Sequence, residues 1–270
     1  MIKSENLVLS PLEKIKDKIS IQKEQFEFNI TPIHNVNEKF ETITFGMGCF
    51  WGAESLFGAT EGVLRTTVGY SGGTSDKPKY TNLYEYMTNM NYYKFINIYI
   101  LLFYRGDHTE VIKIDFNPSI ITFDELLQLF WANHEYGLST KIKRQYMSVI
   151  FYHNNDQRIV SHISKKKEQL KRNSEFITTE IKEASIFYPA EDYHQKYRLQ
   201  EHKELFDTLN ISSTYILHNS YVAAKLNGYL MGVKTVDQFL SQSDLLGLTP
   251  TQKEYVKYFI EMNQGRGLFC

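Results

Sequence analysis

Apolar residues along this chain switch between two periods. Glu110 to Phe116 (EVIKIDF) alternate with a period of two, so Glu110, Ile112, Ile114 and Phe116 share one face of a strand. From Thr122 the period lengthens. Phe123, Leu126, Leu127, Phe130 and Trp131 fall at i, i+3, i+4, i+7 and i+8, a single helical stripe. Thr122 and Glu125 make a capping-box pattern at its start. A strand is expected at 147–152 (MSVIFY), a basic, polar helix at 155–172 and a further strand at 177–181 (ITTEI). Upstream, ETITFGMGCFWGAESLFGA from Glu41 reads as a short strand, a glycine turn and a helix. Residues 66–80 read as loop-rich, with Gly69, Gly72, Gly73 and Pro78 as breakers. Strands and helices mix without a regular βαβ repeat. That predicts an α+β fold with a mixed sheet flanked by helices.

The flanks differ from this centre. Residues 1–38 read as a polar N-terminal extension, in which Glu13 to Gln25 suits a charged helix without a strong apolar stripe. A compact central domain is placed at 39–210 and a helical C-terminal extension at 211–270. In the extension, SYVAAKLNGYL reads as a helix broken at Gly232. Thr249-Pro250-Thr251-Gln252 is a helix start, with Thr as N-cap and Pro at N1. That helix should end near Asn263. Gly265 and Gly267 then precede Cys270 and give a mobile tail able to swing a thiol.

Composition narrows the function. The 270 residues carry 30 basic and 31 acidic side chains, a formal charge of −1. This balance gives no electrostatic case for nucleic acid or an anionic membrane. Two cysteines exclude a disulfide scaffold and a four-cysteine zinc site, and suit a reducing, cytoplasmic setting. The longest apolar run, Phe95–Tyr104, is too short to span a bilayer as a helix. His108-Thr109-Glu110 matches the H-x-E of zinc deaminases, but the second half of that site, P-C-x-x-C, is missing, so no metal is expected.

Cys49 is the residue with chemistry to offer. It stands in Gly46-Met47-Gly48-Cys49-Phe50-Trp51-Gly52, between a predicted strand and a predicted helix. Unpaired N–H groups and the dipole of a helix N-terminus favour the thiolate, which is the nucleophile. Phe50 and Trp51 beside it offer an apolar wall for a small hydrophobic group. On spacing alone, a buried cysteine at a tight turn is an equal reading. Position alone also leaves Glu110 open between a strand-start carboxylate in water and an inward-facing one. Tyr80 and Tyr146 are equally compatible with simple packing.

The GCFWG string resembles the active-site motif of the peptide methionine sulfoxide reductase A family. TTVGYSGG (66–73), HTEVIKIDFNP (108–118), FWANHEYG (130–137), QYMSVIFY (145–152), TTEI (178–181) and FYPAEDYHQKY (187–197) follow in the family's order. The C-terminal SYVAAKLNGYL and GLFC look like longer animal members. The resemblance implies a two-layer sandwich and thiol-dependent reduction of methionine S-sulfoxide, free or in proteins, without a bound cofactor. It implies Cys49 as nucleophile, Glu110 as general acid, and Tyr80 and Tyr146 as hydrogen-bond donors to the sulfoxide oxygen. Phe50 and Trp51 would cradle the S-methyl group. Cys270 would be the resolving cysteine, thioredoxin the reductant and the enzyme a monomer. His194 is assigned a supporting role. A catalytically silent relative, and a cysteine hydrolase pairing Cys49 with His194, are the competing readings.

Two departures from the family's pattern matter. The HEYGLSTKIKRQY stretch is short and lacks the family's supporting aspartate, with Glu135 as the available substitute. Residues 84–105 form an atypical insertion rich in Tyr, Phe, Ile and Asn, read as a translated intron or a lineage-specific addition.

Overall fold

The computed structural model describes residues 10–24 (backbone only for 19–24), 31–80, 108–136, 143–172 and 175–267. The expected insertion, the apolar run Phe95–Tyr104 and Cys270 therefore lie outside the described residues. Among the described residues the strands are β1 (Glu41–Met47), β2 (Val63–Ser71), β3 (Thr109–Phe116), β4 (Ser148–Tyr152), β5 (Glu180–Glu183) and β6 (Tyr188–Pro189). They form one sheet in the order β5-β4-β1-β3-β2-β6. The β4–β5 pair is parallel and the other described pairs are antiparallel, so the sheet is mixed and the fold is α+β.

The alternation in β3 works as its pattern predicts. Ile112, Ile114 and Phe116 join Ile43, Phe45 and Met47 of β1 in one apolar cluster. Helix α2 (Phe50–Gly58) and helix α3 (Phe123–Ala132) add Phe57, Leu126, Leu127 and Phe130 to it. Thr122 and Glu125 close a reciprocal capping box at the head of α3. Helix α4 (Asn155–Leu170) packs behind α3, and Trp131 donates from Nε1 to Ser164 Oγ at 2.8 Å.

Two expectations need correction. Residues 63–71 are strand β2, although Gly69 within it reads as a breaker. Gly69 pairs in register with Val111, and a Cβ on it would sit 2.4 Å from Tyr188 O and 2.5 Å from the Phe187 ring. The glycine permits close approach of neighbouring chain and does not end the strand. Pairing of the 177–181 segment begins only at Glu180. Ile177 instead fills the core, and Thr179 Oγ1 lies 2.7 Å from Ser148 Oγ.

A second apolar cluster lies in the C-terminal helices. Short turns α5 (Tyr197–Gln200), α6 (Lys203–Phe206) and α7 (Thr214–Asn219) lead to α8 (Tyr221–Tyr229), α9 (Val236–Ser243) and α10 (Pro250–Asn263). Leu226, Tyr229, Phe239, Tyr255 and Val256 are buried in this cluster. The Thr249 capping box and N1 proline form as expected, and α10 ends at Asn263. Helix α1 (Pro11–Glu24) begins two residues before the expected start, and its Leu12 and Ile15 pack on this cluster. Lys16 Nζ donates to Glu204 Oε1 at 2.6 Å.

Helices α8 and α2 meet through glycine. A Cβ on Gly58 would lie 2.2 Å from Ala224 O, and one on Gly228 would lie 2.3 Å from Ser55 O. The two backbones touch where no side chain intervenes. Lys225, fully buried, donates from Nζ to Thr60 O just past the end of α2.

Candidate active site

The candidate site gathers at the N-terminus of α2. β1 ends at Met47, Gly48 turns with φ +87°, and Cys49 follows as N-cap of the helix. A side chain on Gly48 would meet nothing within 4 Å. Glycine is therefore required there by backbone conformation and not by space. Cys49 is half-buried and its side chain makes no capping bond, with φ −62° and ψ 125°.

Strand β3 delivers Glu110 to the same place. The residue is 1% exposed and pairs directly with Tyr70 of β2. The inward face inferred from parity is the one it occupies. Its Oε2 accepts from the Phe50 backbone N–H at 3.2 Å, and its Oε1 accepts from Gln145 Nε2 at 2.5 Å. Gln145 is buried in a 3-10 turn, Arg144–Tyr146, which also carries Tyr146. The sequence reading missed Gln145, and its position before Tyr146 was the only available signal. Glu135, the expected substitute for the missing aspartate, is exposed.

Aromatic rings wall the other side. His194 lies at their centre, 2% exposed, with ring centroids of Phe50 at 5.1 Å, Trp51 at 5.6 Å, Tyr80 at 4.6 Å and Tyr193 at 4.1 Å. Its Nδ1 accepts from Trp51 Nε1 at 3.2 Å. Burial holds His194 below the usual histidine range, with Glu191 opposing weakly. A neutral imidazole has one lone-pair nitrogen, and here it is engaged by Trp51. His194 is therefore not placed to deprotonate Cys49, which argues against the hydrolase dyad. Tyr197 stacks on Trp51 at 3.8 Å, nearly parallel.

The wall is tied to the sheet by the turn at 191–196. Glu191 accepts from Tyr70 Oη at 2.9 Å and from the Tyr80 backbone N–H at 3.1 Å. Against its burial, its own backbone N–H together with these two donors holds the carboxylate below the ordinary range. Gln195 clips β2 by accepting from Val68 N at 3.1 Å and donating to Val68 O at 2.9 Å. Lys196 follows with φ +48°.

Every proposed site residue among the described ones, Cys49, Phe50, Trp51, Tyr80, Glu110 and Tyr146, stands on the elements that converge here. Cys270 lies outside the described residues. The last described residues of its tail, Gly265 and Gly267, take φ of +80° and +82°. Among the described residues no cluster of three His, Cys, Asp or Glu is placed to hold a metal ion. No helix among them is long and apolar enough to cross a membrane.

A cysteine at a helix N-terminus, a buried carboxyl against the same turn and an aromatic wall define a thiol-based oxidoreductase layout. Comparison with known proteins agrees. The family described as peptide methionine sulfoxide reductase matches residues 41–98 and 102–225, with its break inside the expected insertion. A protein of Drosophila melanogaster called peptide methionine sulfoxide reductase is 54% identical over 257 residues, 95% of each chain. Peptide methionine sulfoxide reductase A5 of Oryza sativa subsp. japonica is 36% identical over 193 residues, 70% of this chain and 67% of its own. The solved methionine sulfoxide reductase A of Corynebacterium diphtheriae aligns with 63% of this chain and 82% of its own, at 30% identity and a TM-score of 0.44. The chain belongs to the peptide methionine sulfoxide reductase family.

Proposed function

We infer that this protein reduces the S epimer of methionine sulfoxide, free or in proteins, and so repairs oxidised polypeptides. The observation that carries the reading is Glu110, buried and held one residue from the cysteine by the Phe50 N–H and the Gln145 amide. A proton donor is thereby fixed beside the nucleophile. Family membership supports the same chemistry.

Cys49 thiolate attacks the sulfoxide sulfur while Phe50 and Trp51 hold the S-methyl group. Glu110 gives its proton to the sulfoxide oxygen, and Tyr80 and Tyr146 donate hydrogen bonds to it. The oxygen ends on the cysteine, leaving methionine and Cys49 sulfenic acid. Cys270 thiol condenses with the sulfenic acid, forming a disulfide and releasing water. An external dithiol, thioredoxin by the family resemblance, exchanges with the disulfide and regenerates both thiols. The chemistry asks for no prosthetic group. We assign catalysis to 39–210 and delivery of the resolving thiol to 211–270, in a cytoplasmic monomer.

Single-turnover release of methionine from each sulfoxide epimer by pre-reduced protein tests the reading. Release from the S epimer alone is expected. A folded protein that releases methionine from neither is instead a silent relative.

A further inference from the structure

A fully buried ion pair lies one helical turn beneath the aromatic wall. Glu54 and Lys196 are each 0% exposed, with Nζ 3.2 Å from Oε1. Glu54 Oε2 accepts from the Lys196 backbone N–H at 2.6 Å, and Oε1 accepts from Thr66 Oγ1 at 3.2 Å. Lys196 Nζ also donates to Thr66 O at 2.6 Å and His218 O at 2.8 Å. All three ammonium protons are used. The pair joins α2, β2, the 191–196 turn and the end of α7 at one point.

Its location relative to the wall gives it a role. Glu54 is i+4 from Phe50 and i+3 from Trp51, on the same side of α2. Lys196 is two residues past His194. The helix supplies one half of the wall and the turn supplies the other. Their two halves touch at Phe50–His194 and Trp51–His194, and the ion pair bolts them together directly below.

We propose that Glu54 and Lys196 are positioning residues that set the width of the slot receiving the substrate's S-alkyl group, and so its selectivity for methyl over larger groups. This rests on the reductase reading above. A buried pair suits the task better than an apolar contact, because its geometry is fixed by five directed bonds and losing one partner leaves a charge uncompensated. A pocket can separate substrates differing by one methylene by about tenfold or more, but only if its walls are held.

The test compares single-turnover rates for methionine and ethionine S-sulfoxide in a Cys270→Ser background, where Cys49 is the remaining thiol. The variant is Glu54→Gln/Lys196→Met, which removes both charges at similar volume. The methyl-to-ethyl ratio is expected to fall by about tenfold, while iodoacetamide alkylates Cys49 at an unchanged rate. Glu54→Asp, which keeps the charge and shortens the arm, should also lower the ratio and serves if the double variant does not fold. An unchanged ratio in a folded variant overturns the proposal. A ratio near one in the parent also overturns it, since no width is then being set. A parent that releases neither methionine nor ethionine from its respective sulfoxide sinks the reductase reading itself, a result distinct from any change confined to the variants.

Discussion

The two ends of α2 are held by different means. At its C-terminal end, Gly58 and Gly228 bring the backbones of α2 and α8 into direct contact, and Lys225 reaches Thr60 O. At its N-terminal end, Cys49 stands half-buried on a turn, and neighbouring groups are placed by hydrogen bonds from Gln145, Trp51 and the Phe50 N–H. The first end is rigid through exclusion of volume, the second through directed polar contacts. Close packing tolerates no ligand, whereas hydrogen-bonded groups around a partly open thiol leave room for one. The helix is thus anchored at one end so that reactivity can be exposed at the other.

Substitutions at each end should separate these roles. Cys49→Ser is expected to abolish methionine release while leaving the melting temperature nearly unchanged; residual turnover would remove Cys49 as the nucleophile. Glu110→Gln keeps the shape but carries no transferable proton, and the rate should drop by roughly 10²–10⁴-fold, measured in single turnover. A loss below tenfold would assign the proton to another group. At the opposite end, Gly228→Ala drives a Cβ against Ser55 O and Ala59. It should cost about 1–3 kcal/mol of stability, read by denaturant titration, with the rate of the folded fraction preserved. A matching fall in rate would show that the two ends are coupled.

Lys225→Met should change stability by a similar amount in the opposite direction, with a distinctive pH dependence. Burial holds Lys225 down at about 7, from an ordinary value of 10.5. Between those values the unfolded chain binds a proton that the folded protein does not. Stability therefore falls as pH drops from 10.5 toward 7 and levels off below, by a few kcal/mol in total (about 1.4 per pH unit). The Met variant should lose that slope and gain about 1–3 kcal/mol at pH 7, less the bond to Thr60 O. Denaturation midpoints at pH 7 and 10 decide it: equal slopes in both proteins would mean that Lys225 keeps its proton in the fold.

How much of this was legible in the sequence follows the range of the interactions. The capping boxes at Thr122 and Thr249 are local, and both form as written. The inward face of Glu110 follows from parity with Ile112 and Ile114, which needs only one strand. Gly69 was misread because a breaker and a close-approach glycine look alike until the neighbouring strand, β6, is in place. Gln145, Lys196 and the neutral state of His194 depend on partners 35 to 143 residues away, and no local pattern announces them. Helix α2 carries no clean stripe, because contacts on several sides bury nearly all of it.

The anchoring of Tyr80 and His108 has a consequence for how this protein can change. Tyr80 is pinned by its N–H to Glu191 Oε1, and His108 accepts from Gly73 N at 3.3 Å while its Nε2 lies 2.8 Å from Ser75 O. The chain is stapled to the scaffold on both sides of residues 81–107. The points where the chain leaves and rejoins the scaffold are thus set by the scaffold itself, by Glu191 on one side and by the Gly73–Ser75 turn on the other. Changes of sequence between them would meet the same two fixed ends, and Tyr80 would keep its backbone anchor.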